Sequence, residues 1–168
     1  MNHSIPLTGP DDHRFWMTQA LREAERAAEE GEVPVGAVIV HNSMVIGRGY
    51  NRPEGLHDAT AHAEILAIGA ASETLGDWRL EDCTIYVTLE PCPMCAGAIV
   101  QARIPQLVYG ASDQKAGACG TLYDITNDPR LNHQVEVIRG VMESDSAAML
   151  KEFFRRLRSR GSDPSLPE

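Results

Sequence analysis

Two short motifs, separated by one apolar segment, constrain the fold of this chain more than any other feature. Residues 60–64 read Thr-Ala-His-Ala-Glu, and residues 90–95 read Glu-Pro-Cys-Pro-Met-Cys. Between them, residues 84–89 read Thr-Ile-Tyr-Val-Thr-Leu, a near-continuous apolar run that is typical of a strand buried on both faces of an α/β sheet. Each motif opens a segment of helical composition. The pattern therefore predicts two helix N-termini that converge beside one buried strand.

The two motifs offer the ligands of a metal site. One imidazole, His62, and two thiols, Cys92 and Cys95, supply three ligands for zinc and leave its fourth position open. Three protein ligands are typical of catalytic zinc, whereas structural zinc usually has four. The Cys-x-x-Cys spacing lets both sulfurs of one helical turn reach one ion, and a helix N-terminus favours their thiolate forms. Glu64, two residues beyond His62, is spaced to act on a metal-bound water.

The combination of motifs points to one reaction class. Zinc lowers the pKa of bound water from about 15.7 to about 7, and a nearby carboxylate can carry the released proton. His-x-Glu followed by Pro-Cys-x-x-Cys is the signature of zinc-dependent nucleobase deaminases. Neither half is specific alone, because Cys-x-x-Cys also occurs in redox and structural-zinc proteins. Together they predict a hydrolase that deaminates a nucleobase, with Glu64 as its catalytic residue.

Length and composition fit this prediction. A chain of 168 residues with 43% hydrophobic content suits one domain with its own core. Residues 1–8 lack the pattern of a signal peptide, and no apolar run has transmembrane length, so we expect a cytoplasmic protein with reduced cysteines. The net charge of -9 argues against a nucleic-acid partner. Residues 151–160 nevertheless hold five basic residues against one acidic residue, so a local basic face stays open.

The periodicity along the chain predicts a single three-layer α/β domain over residues 12–160, with a mixed sheet of about five strands flanked by helices. We expect a flexible leader at 1–11 and a disordered tail at 161–168. Glycines within the first two strands predict bulges or close backbone approaches. The first helix is predicted from Asp11 or Asp12 to a cap at Gly31, and further helices are predicted at 59–72, 96–102 and 146–158. Strands are predicted at 35–40, 44–50, 84–89, 106–110 and 135–138. Residues 51–55 are predicted to form a loop.

From about Phe15 to Arg158, the sequence resembles the bacterial tRNA-specific adenosine deaminases of the cytidine-deaminase-like superfamily. The resemblance is carried by residues 32–37, 49–53, 57–64 and 86–98, and it continues through 113, 115–117, 131–133 and 153–155. It implies a cytidine-deaminase-like fold, one zinc ion per subunit, a homodimer, and conversion of adenosine to inosine at the wobble position of a tRNA anticodon.

The resemblance also implies roles for single residues. It makes His62, Cys92 and Cys95 the zinc ligands and Glu64 the proton shuttle. The resemblance assigns the contact with the target base to Asn51, and contacts with the flanking nucleotides to Asp113 and Lys115. It assigns contacts in the RNA groove to Asn132, Phe154 and Arg155. Ser112, Ala116 and Cys119 depart from the residues common in the family, which removes some polar or basic contacts.

Simpler interpretations stay open beside these. Asn51 also suits a plain turn, and Asp113 and Lys115 an ordinary solvated loop. Of the adjacent Phe153 and Phe154, at least one is expected to pack in the core. At the level of function, one alternative keeps the chemistry but takes a free base or nucleoside such as guanine or cytosine. Another is a zinc-stabilised binding module, which requires a fourth protein ligand.

Overall fold

The computed structural model describes residues 12–161, so the expected leader and the residues after 161 lie outside the described part of the chain, as does Asp11. The elements, in chain order, are α1 (His13–Glu29), β1 (Gly36–His41), β2 (Met44–Tyr50), α2 (Pro53–Leu56), α3 (Ala63–Leu75), β3 (Cys83–Leu89), α4 (Pro93–Gln101), β4 (Gln106–Ala111), β5 (Glu136–Ile138) and α5 (Glu143–Gly161). Across residues 12–161, no helix combines the length and apolar character needed to cross a membrane.

The five strands form one mixed sheet in the order β2-β1-β3-β4-β5, which confirms the predicted architecture. β1 pairs with β2 and with β3 in antiparallel fashion, whereas β3, β4 and β5 run parallel. Because α4 is the crossover between the parallel strands β3 and β4, the carboxyl ends of both strands lie at the same edge. The segments that follow β3 and β4 therefore meet there.

Helices cover both faces of the sheet, as a three-layer domain requires. One face buries Trp16, Met17 and Ala20 of α1 against Val38 and Tyr86. The opposite face packs α3 and α4 against the other side of the same strands. Met149 of α5 lies against the α1 layer.

Glycines in the first hairpin let helices approach the sheet closely, as predicted. A Cβ atom at Gly36 would overlap the backbone of Ala20 and Ala24 in α1. Gly49 lies against the start of α3 in the same way, where a Cβ atom would overlap backbone atoms of Ala63 and Ala67. The hairpin also has a register shift between Ile39 and Val40. At these glycines, α1 packs closely against β1 and α3 packs closely against β2.

Several element boundaries differ from the prediction by a few residues, and three of the differences lie beside the two sequence motifs. The helix predicted at 59–72 begins only at Ala63, because Asp58 accepts hydrogen bonds from the Thr60 backbone N–H (2.8 Å) and hydroxyl (2.7 Å) and holds the preceding residues in a turn. The predicted loop 51–55 is replaced from residue 53 by the four-residue helix α2, which extends to Leu56. α4 begins at Pro93 and not at 96, since proline is well suited to the first helical position.

Candidate metal centre and catalytic site

Two helix N-termini present the predicted ligands. His62 is the N-cap residue of α3 and Cys92 the N-cap residue of α4, and neither side chain makes a capping hydrogen bond. The imidazole ring of His62 and the sulfur of Cys92 can therefore interact with each other. Cys95 follows in the first turn of α4 and is buried. The sequence predicted that His62 lies within the helix, whereas in the structure it lies just before the first helical residue, Ala63.

The three side chains lie at distances that suit a metal ion. His62 Nδ1 is 3.6 Å from Cys92 Sγ and 3.5 Å from Cys95 Sγ. All three ligand atoms lie within 4.8 Å of one another, and they are the group within residues 12–161 that could hold a metal. Zinc bonds of about 2.3 Å to sulfur and about 2.0 Å to nitrogen, at tetrahedral angles, separate S and N by about 3.5 Å. The donor set and its spacing thus fit zinc.

The ionisation of the cluster follows from its internal hydrogen bonds. The hydrogen bond from Cys95 holds the pKa of the Cys92 thiol down at about 4, and His62 acts in the same direction. The bond to Cys92, together with burial, raises the pKa of Cys95 far above its ordinary value. The hydrogen bond with Cys92 likewise raises the pKa of His62. These hydrogen bonds therefore favour the thiolate form at Cys92, which is the form that binds a metal.

Glu64 lies beside this cluster and is almost completely buried, with 4% of its surface exposed. It is in the first turn of α3, and its side chain hydrogen-bonds with Cys95. Burial raises the pKa of its carboxyl to about 7, because the charged form loses its hydration. A carboxyl group of this kind can both accept and return a proton near neutral pH.

The segment that carries Asn51 runs next to the cluster. Asn51 directly follows β2 and is half-buried, and its backbone N–H donates to Val35 O at 3.0 Å. The next residue, Arg52, donates to Ala61 O at 2.9 Å, one residue before His62. Buried Glu32, in the connection between α1 and β1, accepts the Gly55 N–H at 2.7 Å and so ties α2 to that connection. Asn51 is thereby held close to the proposed ligand His62.

The segment that carries Asp113 and Lys115 follows β4, at the sheet edge where β3 also ends. Asp113 is half-buried and accepts the Lys115 N–H (2.9 Å) and the Ala116 N–H (3.2 Å), so its carboxylate caps a turn. Lys115 is exposed. This segment is attached to the ligand turn through Ala118 N–H, which donates to Pro91 O at 2.9 Å.

The remaining predicted contacts lie on the surface, outside the cluster. Asn132 is exposed between β4 and β5. On α5, Phe154 is exposed and Phe153 half-buried, with their rings edge to face at 5.4 Å. Neither ring belongs to the buried core, so the expectation that one of them packs there is wrong; Phe153 instead lines a surface groove beside Ala28 of α1. Arg155 is exposed and pairs with Glu152 at 2.8 Å.

Two buried carboxylates were not singled out as functional from the sequence. Glu32 and Glu90 are 3% and 2% exposed, and each accepts backbone N–H groups from one of the two segments described above. The signal available for Glu90 was its position, an acidic residue directly after a buried strand and before proline. An acidic residue there needs a partner, because a buried charge without one is costly.

Fold and site together are those of a deaminase. Residues 11–158 match the model of the MafB19-like deaminase family. A guanine deaminase from Nitrosomonas europaea shares 25% of its sequence with this chain and superposes with a TM-score of 0.70 over 84% of each chain.

Closer similarity narrows the family. The tRNA-specific adenosine deaminase of Bacillus subtilis is 50% identical over 146 residues, which cover 87% of this chain and 91% of that protein. A solved structure from studies of A-to-I editing by tRNA:A34 deaminases at the wobble position of transfer RNA is 48% identical, with a TM-score of 0.78 over 81% of this chain and 99% of that one. The chain belongs to the family of tRNA-specific adenosine deaminases.

Proposed function

We propose that this protein converts adenosine to inosine at the wobble position of a tRNA anticodon by hydrolysis. The observation that carries the proposal is one constellation: His62, Cys92 and Cys95 around a metal-sized space, with buried Glu64 beside them. The sequence similarity to tRNA-specific adenosine deaminases supports the choice of substrate. An anticodon loop suits such an enzyme, because an unpaired base can be turned into a pocket at low cost.

In this proposal His62, Cys92 and Cys95 hold one zinc ion per subunit. Their separations of 3.5 and 3.6 Å already match a tetrahedral ligand set. When bound, zinc supplies a water whose pKa is lowered from about 15.7 to about 7. We place the protein in the cytoplasm, a compartment that keeps thiol ligands reduced.

Glu64 carries the proton. Its carboxylate accepts the first proton of the attacking water as oxygen bonds to C6 of adenine, and it passes that proton to ring nitrogen N1. It then carries the second proton of the same water to the amino group, which leaves C6 as ammonia while the carbonyl of inosine forms. The burial of Glu64 excludes bulk water from this transfer. Glu64 is thus the catalytic residue of the proposal.

Substrate contacts come from three parts of the surface. Asn51, held near His62, donates or accepts hydrogen bonds with the target base. Asp113 and Lys115 contact the flanking nucleotides, and Asn132, Phe154 and Arg155 contact the RNA further out. Phe154 is 40% exposed on α5, so its ring is available for stacking on an unpaired base.

We also propose a homodimer formed through the outer faces of α3 and α4. α4 contains no charged residue, and α3 contains none between buried Glu64 and Glu73. An open groove of about 300 Å³ between these helices includes Ile68, Ala98 and half-exposed Trp78. A helix that is apolar on all sides is normally buried against other protein. The resemblance to a homodimeric family indicates that a second copy of this chain covers α3 and α4.

The substrate is tested directly by incubating the protein with total tRNA and, separately, with free guanine, cytosine and adenosine. We expect inosine in the nucleosides digested from tRNA and no ammonia from the free compounds. Deamination of guanine or cytosine would instead establish the small-molecule alternative. Turnover of neither, by a protein that contains zinc, would refute the proposed activity.

A further inference from the structure

Glu90 is a buried carboxylate that the proposed mechanism does not use. It directly follows β3, lies two residues before Cys92, and is 2% exposed. Its own backbone N–H donates to Ala111 O at the end of β4. Its side chain therefore lies at the sheet edge where the ligand turn and the segment after β4 meet.

All of the hydrogen bonds observed to its carboxylate come from residues 113–121. Oε1 accepts the backbone N–H groups of Cys119 (3.1 Å) and Thr121 (3.2 Å). Oε2 accepts the backbone N–H of Asp113 (3.0 Å) and the hydroxyl of Thr121 (2.5 Å). An ionised carboxylate has about four acceptor sites, so this one segment uses its full capacity.

These bonds take the place of regular secondary structure. Residues 113–121 form neither helix nor strand, so their backbone N–H groups must find other partners as they become buried. Gly117 lies so close to the carboxylate that a Cβ atom there would overlap Glu90 Oε2 and Asp113 O. The segment is thus wrapped around one side chain.

We propose that Glu90 is a positioning residue that fixes residues 113–121, and with them Asp113 and Lys115, relative to the Cys92–Cys95 turn. The inference rests on the proposed function, in which this segment contacts nucleotides beside the target base. Because Glu90 and Cys92 belong to one short stretch of backbone, the metal ligands and the RNA-contacting segment share a single anchor. Glu90 accordingly controls the binding of tRNA, while Glu64 controls the chemical step.

The test is Glu90→Gln, which keeps size and removes acceptor capacity, since the amide NH₂ would face N–H and O–H donors. We expect hydrogen exchange at the amides of Asp113, Cys119 and Thr121 to accelerate without any substrate present. The KM for a tRNA anticodon stem-loop should rise roughly tenfold, with kcat changed less than about threefold and zinc content retained. Glu23→Gln is the control, because Glu23 is equally buried but pairs with Arg26 and Arg48.

Thr121→Val provides a milder variant that removes one donor and keeps side-chain shape. We expect changes of the same kind and smaller size, while Thr84→Val, at the other end of β3, should change neither exchange nor KM. Unchanged exchange in both Glu90→Gln and Thr121→Val would overturn the inference. Loss of zinc, or a fall in kcat at constant KM, would overturn it too. A different result is faster exchange in these variants when the unmodified protein does not deaminate tRNA. That result would refute the proposed deaminase function but would still support the contact between Glu90 and residues 113–121.

Discussion

At the scale of single residues, burial separates the glutamates of this chain by the tasks their surroundings allow. Glu64 has its pKa raised to about 7 by burial and contacts the cysteine cluster, so it can exchange protons near neutral pH. Glu152 lies partly exposed on the surface, and its hydrogen bonds with Arg155 and Arg156 hold its pKa down at about 2, so it stays charged. The same side chain thus serves as proton carrier in one place and as fixed charge in another.

The proton-carrying role of Glu64 predicts the outcome of Glu64→Gln. Glutamine keeps the size and the buried position but cannot accept a proton, so kcat on tRNA should fall about 10²- to 10⁴-fold. Zinc content should not change, because Glu64 is not one of the three ligands. Zinc analysis together with single-turnover rates measures both quantities. Retained activity in Glu64→Gln would remove Glu64 from the mechanism.

At the scale of elements, the close approach of β2 and α3 places the metal site. Gly49 lies directly under Ala63, the first residue of α3 and the neighbour of His62. In Gly49→Ala the added methyl group would force α3 away from the sheet, and overpacking of this kind costs about 1–3 kcal/mol. We expect a lower urea midpoint and weaker zinc retention. Gly161→Ala, which adds a methyl group where nothing lies within 4 Å, should leave both unchanged. An unaltered midpoint in Gly49→Ala would contradict this packing.

The elements also show which features were predictable from sequence. The Cys-x-x-Cys turn and the buried strand before it depend on neighbours a few residues apart, so their pattern was sufficient to predict them. The start of α3 was predicted four residues too early, because Ala59 and Ala61 suit a helix while the turn at Asp58 excludes them from it. α2 escaped prediction since four residues are too few to show a helical period.

The features that local sequence patterns did not predict depend on contacts between residues far apart in the chain. Glu90 is bonded to residues 23 to 31 positions further along the chain, and no local pattern reports such a partnership. The meeting of His62 with Cys92 likewise spans 30 residues. It could be inferred only because the chemistry of zinc requires ligands that the sequence offers in two separate places.

At the scale of the whole molecule, the apolar face of α3 and α4 predicts the oligomeric state. Gly69 is exposed on that face with nothing within 4 Å of a Cβ atom, so the monomer has room for a larger side chain. Gly69→Arg should therefore fold but place a charge in the dimer interface, and analytical ultracentrifugation should show a monomer. Gly161→Arg, at the end of α5, should stay dimeric. A Gly69→Arg variant that sediments like the unmodified protein would exclude this face.

Charge sets the last expectation for the whole molecule, because a protein of net charge -9 must bind a polyanion through a local basic surface. Arg155 and Arg156 lie on the exposed end of α5 but share Glu152, at 2.8 and 2.7 Å. Removing that carboxylate in Glu152→Gln should release both guanidinium groups to phosphates and lower the KM for tRNA roughly two- to fivefold at 0.1 M salt.

The control for this effect is Glu143→Gln, which makes the same charge change on the same helix. Nine residues of helix separate the two positions by about 14 Å, which exceeds the Debye length of about 10 Å at 0.1 M salt. Only Glu152→Gln should therefore lower KM, and the difference should vanish as salt is raised, because the gain is electrostatic. An equal gain in both variants would show that overall charge acts, and no gain in either would place the RNA away from Arg155.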